Sequence, residues 1–222
     1  MALATFHCLC IDAVDAPRLA TFWAGALALQ PEVRDDGLRL LTGRTPGHKI
    51  WINQVPEPVT VKQRVHLDVH AAAVQDVLAL GATPLDMTSF DWKVLRDPEG
   101  GELCVFEREV VPQDRLYEVG VDARDAHTIA SWWADVLGAR TDAEAGCVAV
   151  VDVPGAPFEG FVFVDVPEPK TVKNRIHWDV DVPDLGALIA AGATVLREPD
   201  DQISWTVMAD PEGNEFCAFQ AD

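Results

Sequence analysis

No apolar run in the 222-residue chain approaches the roughly 20 residues that a membrane-spanning helix needs. The opening residues, MALATFHCLCID, have no basic segment ahead of an apolar core, so they read as a strand and not as a signal peptide. Positive charge is scarce. Seventeen Lys and Arg face thirty-six Asp and Glu, a net −19. That leaves little to neutralise phosphates and repels anionic lipid, so neither nucleic acid nor a membrane surface is an expected partner. The excess acid reads as a solvated, soluble surface. The five cysteines, Cys8, Cys10, Cys104, Cys147 and Cys217, are odd in number and show no CxxC spacing. Both facts argue against a disulfide framework, and a reduced, cytoplasmic protein is the default. GxGxxG, P-loop and GxSxG motifs are absent, which removes the usual sequence signs of dinucleotide binding, nucleotide-triphosphate binding and α/β-hydrolase chemistry.

What the chain has instead is repetition. VPEPVTVKQRVHLDV (55–69) and VPEPKTVKNRIHWDV (166–180) agree at eleven of fifteen positions. ATFWAGALA (20–28) matches ASWWADVLG (130–138), and DPEGGELCVF (97–106) matches DPEGNEFCAF (210–219). The chain therefore divides into homologous halves, 1–110 and 115–222, joined by the charged segment EREVVPQDR. In each half a strand leads to an N-capping Asp15 or Asp125 and then to an amphipathic helix. Its apolar stripe is Leu19, Phe22, Trp23, Ala26 and Leu27, or Ile129, Trp132, Trp133, Val136 and Leu137. These tryptophans read as core. Two or three strands follow, then the VPEP segment, a further strand, a short helix ending at Gly81 or Gly192, and strands joined by DPEG. The order strand–helix–strands thus occurs four times.

The strands RVHLDV and RIHWDV alternate strictly. Val65, Leu67 and Val69 share one face, and Arg64, His66 and Asp68 the other. In the second copy Arg175, His177 and Asp179 form the polar face. An unpaired buried charge is costly, so this face is expected to border water or a polar cavity. Trp92 and Trp205, in strands near the end of each half, are placed to wall such a cavity. His48, His70 and His127 read as surface residues.

Three features together, DAPRLATFW with DAHTIASWW, the H-x-D strand and the closing DPEG turn, resemble the vicinal oxygen chelate superfamily of glyoxalase I, bleomycin-resistance proteins and extradiol dioxygenases. The resemblance is in particular to its glyoxalase-like domain group. It implies an α+β fold of two tandem glyoxalase-like domains. Each would pair two βαβββ modules into a curled, cup-shaped mixed sheet with helices outside. It also implies that active members hold a divalent metal in the cup, through His or Gln on a module's first strand and Glu on its last.

Carried over residue by residue, the resemblance places His66 and His177 at the His position. The last-strand position holds Cys104 and Cys217, with Glu102 and Glu215 two residues earlier. On the opening strands it gives Cys8 and Glu118, or, with a one-residue bulge, His7 and Tyr117. The usual metal set is incomplete in both halves, and the two cysteines read as small hydrophobes of the cup wall. The expected pocket comprises Arg64, His66, Asp68, Trp92, Cys104, Arg175, His177, Asp179, Trp205 and Cys217. The implied function is binding of a small apolar-aromatic or anionic molecule, without a family metal set. The alternative is a lyase, isomerase or oxygenase using Zn, Ni, Mn or Fe on His66 or His177 with Cys104, Cys217, Glu102, Glu215, His7 or Glu118. The fused halves are expected to be a monomeric intrachain pseudo-dimer or to form a homodimer.

Overall fold

In the computed structural model, which describes residues 2–35 and 37–220, four βαβββ modules follow one another. The first is β1 (Thr5–Ala13), α1 (Ala16–Leu27), β2 (Gln30–Val33), β3 (Arg39–Thr42) and β4 (Lys49–Gln54). The second is β5 (Val65–Ala71), α2 (Val74–Ala79), β6 (Thr83–Asp86), β7 (Lys93–Arg96) and β8 (Glu102–Glu107). The third is β9 (Leu116–Ala123), α3 (Ala126–Leu137), β10 (Arg140–Glu144), β11 (Cys147–Val151) and β12 (Gly160–Asp165). The fourth is β13 (Ile176–Val182), α4 (Leu185–Ala190), β14 (Thr194–Arg197), β15 (Thr206–Ala209) and β16 (Glu215–Gln220). Asp15 and Asp125 cap α1 and α3 by accepting from the Arg18 and Thr128 amides, as their positions predict.

The modules form two eight-stranded mixed sheets, and each sheet crosses the repeat. One runs β14-β15-β16-β13-β1-β4-β3-β2, the other β10-β11-β12-β9-β5-β8-β7-β6. The first therefore joins modules one and four through the antiparallel pair β1–β13. The second joins modules two and three through β5–β9. Each cup takes one module from each sequence half. The helices cover one face of each sheet. Leu9 and Ile11 of β1, Ile176 and Trp178 of β13, and Leu19, Trp23, Ile129 and Trp133 of the helices are fully buried in a continuous apolar core.

Two short motifs hold this crossed arrangement. The DPEG turns bind the modules of one half together. Asp97 accepts from the amides of Glu99 and Gly101 at 2.8 and 2.9 Å, and Asp210 does the same for Glu212 and Asn214. Gly100 and Gly213 sit at φ +90 and +87, where a side chain would be strained. The turn's glutamate then reaches the start of the neighbouring helix. Glu99 accepts from Val14 N and Asp15 N, and Glu212 from Arg124 N and Asp125 N, at 2.6–2.9 Å. The VPEP linkers bind across the halves. Lys62 pairs with Asp122 at 2.6 Å and Lys173 with Asp12 at 2.5 Å. Arg64 donates to the Glu168 and Asp122 carbonyls, and Arg175 to the Glu57 carbonyl and the Glu99 carboxylate. A cavity of about 810 Å³ lies between the two linkers, bordered by these lysines and arginines.

Candidate functional site

The face of each sheet turned away from its helices carries the polar row that the sequence alternation predicts. In the β1–β13 sheet, Cys8 lies opposite Asp179 and Cys10 opposite His177, while Asp179 is in register with Cys217 on β16. The Cys8 and Cys10 thiols both donate to Asp179 Oδ2, at 3.3 and 3.4 Å. His177 Nε2 lies 3.9 Å from Asp179 Oδ1. All five residues are buried. Burial and the Asp179 charge hold the Cys217 thiol well above its ordinary range. Cys10 is also raised, first through its contact with the Cys8 thiol and then by burial.

The β5–β9 sheet repeats the plan with other residues. His66 faces Gly120, and Asp68 is in register with Cys104. His66 Nε2 lies 3.3 Å from Asp68 Oδ1. Gly120 is required here, because a Cβ would fall 2.3 Å from His66 Cε1. Burial pulls the His66 pKa down, but hydrogen bonding and charge from Asp68 and Cys104 outweigh it, and the imidazole ends well above its ordinary value. Glu118 is pushed up to about 7 by burial and by the Asp68, Glu159 and Glu144 charges.

Both opening strands contain the bulge that decides their register. Phe6 pairs with Val180 and Cys8 with Asp179, so His7 is the extra residue. In β9 the shift falls between the pairs Leu67–Val119 and Val69–Leu116. The bulge does not bring His7 into the polar row. His7 instead binds Asp181 at 3.0 Å and stacks on Phe219. Tyr117 likewise packs against Phe106 and His70.

Of the expected residues, His66, Asp68 and Cys104 come together, as do His177, Asp179 and Cys217. Trp205 stacks on Phe219, and Trp92 on Phe106 and Phe90. Arg64 and Arg175 leave the row, because their guanidinium groups bind the linkers. Glu215 is taken up by Lys170 at 2.6 Å and by the Asn174 amide, and Glu102 joins neither cluster. Cys104 and Cys217 are buried, each with its sulfur within 4.8 Å of a carboxylate and an imidazole. Cys10 was not among the expected residues, although its place two positions from Cys8 puts both thiols on one strand face.

Two histidines expected at the surface are buried. His70 packs on Tyr117, and His48 fills the space left by Gly43, where a Cβ would lie 2.4 Å from the ring. Loop position alone does not reveal such a glycine-made slot.

The family's His and Glu set is incomplete at the last strand of both cups, where cysteine stands. Glu215 is paired with Lys170, and Glu118 lies on the opening strand of the β5–β9 cup under the influence of the Asp68 charge.

Glu118 gives a test of the β5–β9 cup that needs no ligand. With its pKa raised from 4.5 to about 7 in the folded state, the protein binds more protons folded than unfolded between those values. Stability from this group therefore falls as pH rises through that window and stays low above it. Glu118→Gln is expected to remove the fall and to be more stable than the parent at pH 8, with the advantage shrinking towards pH 5. Urea denaturation at several pH values checks this. Parallel curves for the two proteins would refute the assignment.

Comparison with known proteins follows the same lines. The Glyoxalase-like domain family profile matches residues 8–106 and again 118–219. No curated protein matches. Among solved structures, a glyoxalase I mutant from Zea mays aligns with TM-score 0.69 at 12% identity, covering 98% of this chain and 94% of that one. A putative dioxygenase from Bacillus subtilis aligns at 0.66 and 14% identity, covering 99% and 86%. The cppA protein of Streptococcus pneumoniae aligns at 0.53 and 11%, covering 98% and 100%. Such identities establish the fold and leave the activity to the site. With its profile matched in both halves, the chain belongs to the Glyoxalase-like domain family.

Proposed function

We propose that the protein binds a small planar aromatic anion in the β5–β9 cup. One observation carries this reading: a ladder of partly exposed aromatic rings beside the His66–Asp68–Cys104 group. Phe90 stacks on Trp92 with centroids 4.8 Å apart, Trp92 on Phe106 at 5.4 Å, and Tyr117 meets Phe106 edge-on at 5.0 Å. Large apolar rings left open to solvent around a few convergent polar groups are the usual composition of a ligand site. The Arg108 guanidinium lies 5.4 and 5.2 Å from the Phe106 and Tyr117 rings. It gives the ladder a cationic end, where a carboxylate or sulfonate on the ligand would be received. His66, carrying its proton over a wide pH range, adds a donor from the cup floor.

Both cups are complete within one chain, which supports a monomer. The five unpaired cysteines suit a reducing compartment such as the cytoplasm. No described helix is long and apolar enough to cross a membrane.

The test is titration with 2-naphthoate, followed by calorimetry. Saturable binding is expected at one site. Stacking of one aromatic face contributes about 1–3 kcal/mol, so Trp92→Ala should weaken binding by roughly 5- to 150-fold. Arg108→Gln should weaken 2-naphthoate but leave its neutral carboxamide unchanged. Failure of the parent protein to bind any small planar aromatic acid, or an unchanged affinity in Trp92→Ala, refutes the reading.

A further inference from the structure

The cavity of about 810 Å³ between the VPEP linkers lies outside both cups, and none of the His–Asp–Cys residues borders it. We infer that it is a binding site for a primary alkylammonium ion, with the ammonium at Glu57 and the alkyl chain along the two linkers. This site is separate from the aromatic ladder of the β5–β9 cup and does not depend on it.

The walls come from the repeat. Val61 and Val172 hold the same place in the two linkers, and each remains 45% exposed although it borders the cavity. Pro58 and Pro169 are a second such pair, also exposed. Apolar side chains left open around a concavity are the usual material of a ligand site. The linkers that carry them are already tied down. Lys62 and Arg64 bind one linker to the third module, and Lys173 and Arg175 bind the other to the first half. Walls fixed in advance lower the entropic cost of receiving a chain.

The sign of the ligand follows from which charges are free. Four cations border the cavity, and all four are engaged. Lys62 and Lys173 are paired at 2.6 and 2.5 Å with Asp122 and Asp12, which are 6% and 5% exposed. Taking a partner from a buried carboxylate is strongly unfavourable, so neither lysine is available to an anion. Arg175 donates to the Glu57 carbonyl, and the Glu99 carboxylate meets its charge at 3.2 Å. Arg64 donates to the Glu168 and Asp122 carbonyls at 2.7 and 2.8 Å and has no carboxylate partner among the described residues. The Nε–H groups of both arginines lack partners, but those atoms are buried out of a ligand's reach.

On the acidic side, Glu57 and Glu168 border the cavity and are exposed. Neither is ion-paired among the described residues. The two ends are nevertheless unequal. Beside Glu168 the guanidinium of Arg64, held by carbonyls alone, offsets the carboxylate charge. Beside Glu57 the guanidinium is that of Arg175, already neutralised by Glu99, so one negative charge is left over. An ammonium group complements that end, and the apolar walls take its chain. The net charge of −19 also raises the local concentration of cations.

The experiment titrates the full chain with butylammonium, hexylammonium and octylammonium chloride by calorimetry, with hexanoate as the anionic control. One equivalent per chain is expected. Each methylene taken out of water contributes about 4-fold in affinity, so each step of two methylenes should tighten binding roughly 15-fold. Hexanoate should show no saturable binding. Glu57→Gln should weaken hexylammonium by about 2- to 5-fold, the range of a solvent-accessible ion pair, and Glu168→Gln by less. Replacing both Val61 and Val172 by Ser, at exposed positions that the core does not need, should reduce the dependence on chain length. Trp92→Ala should bind hexylammonium as the parent does, which keeps failure here distinct from failure of the aromatic reading. Affinity independent of chain length would mean only that cations gather on an acidic surface, and it overturns the inference. So does hexanoate binding as tightly as hexylammonium, an unchanged affinity in Glu57→Gln, or loss of binding in Trp92→Ala.

Discussion

Residues 1–110 expressed alone are expected not to give a folded monomer, and neither are residues 111–222. The repeat makes each half look like a self-contained domain, but the sheets divide differently. β1 depends on β13 for its antiparallel partner, and β5 depends on β9. Separating the halves turns four central strands into edges with unpaired backbone groups. It also strips one side from core residues such as Leu9, Ile11, Val65 and Leu67, which are at most 2% exposed in the whole chain. Unpaired, flat and apolar edges recruit other chains. One repair is available, because β5 and β13 lie in the stretches that agree at eleven of fifteen positions. A second copy of the first half can therefore offer β5 to the first copy's β1. The half should appear as an exchanged dimer or as aggregate, and mixing it with the other half should restore a one-to-one complex with native ellipticity. Size-exclusion chromatography with light scattering decides the matter. A monomeric half with native secondary structure would show that the contacts within a half suffice.

The same point shows why module pairing was not legible in the sequence. A pattern of apolar and polar residues specifies which face of β1 is buried. It does not distinguish β5 from β13 as partner, since both present the same RxHxDV strand. The strands that periodicity did not locate have a shared physical reason. β2, β6, β10 and β14 are the outer strands of the two sheets. Their residues are exposed almost throughout, so no alternation is imposed on them. By contrast the α1 and α3 stripes, the N-capping aspartates and the DPEG turns were legible because each is a local device with a local signature.

The candidate site was legible to the extent that it rests on strand alternation. His66, Asp68, His177 and Asp179 occupy the face their parity assigns. Arg64 and Arg175 share that parity but precede β5 and β13, where the linkers bind them. The choice between Cys8 and His7 depended on a bulge, and a bulge is a property of a strand pair that neither strand shows alone. Once the register is known, the difference between the cups follows from two residues of β1.

Trp133→Ala is expected to destabilise the protein by about 3–5 kcal/mol, the usual range for deleting a fully buried large side chain. The indole is fully buried and meets Trp132, Trp178 and Phe216 edge-on, with centroids 4.7, 4.9 and 5.2 Å away. Its Nε1 also donates to Asp210 Oδ2 at 3.0 Å. Asp210 is the buried residue that shapes the second DPEG turn, and burial raises its pKa. Removing the indole therefore leaves a cavity and takes a donor from a buried carboxylate. Trp133→Phe separates these effects, because the ring remains and only the donor is lost. Hydrogen bonds to charged groups contribute about 1.5–3 kcal/mol, and Trp133→Phe should cost at least the lower part of that range. The first half supplies the comparison. Trp23 occupies the matching place and is equally buried, but its Nε1 has no partner among the described residues. The turn beside it is built differently. Asn174 and Asn214, which bind each other and extend Asp210's contacts, correspond to Gln63 and Gly101. Trp23→Phe removes no hydrogen bond and relieves a buried N–H, so it should cost under about 1 kcal/mol or stabilise slightly. Urea denaturation of the two phenylalanine variants measures the difference. Equal costs would mean that the Trp133–Asp210 bond contributes nothing, and that packing alone fixes the indole in both repeats.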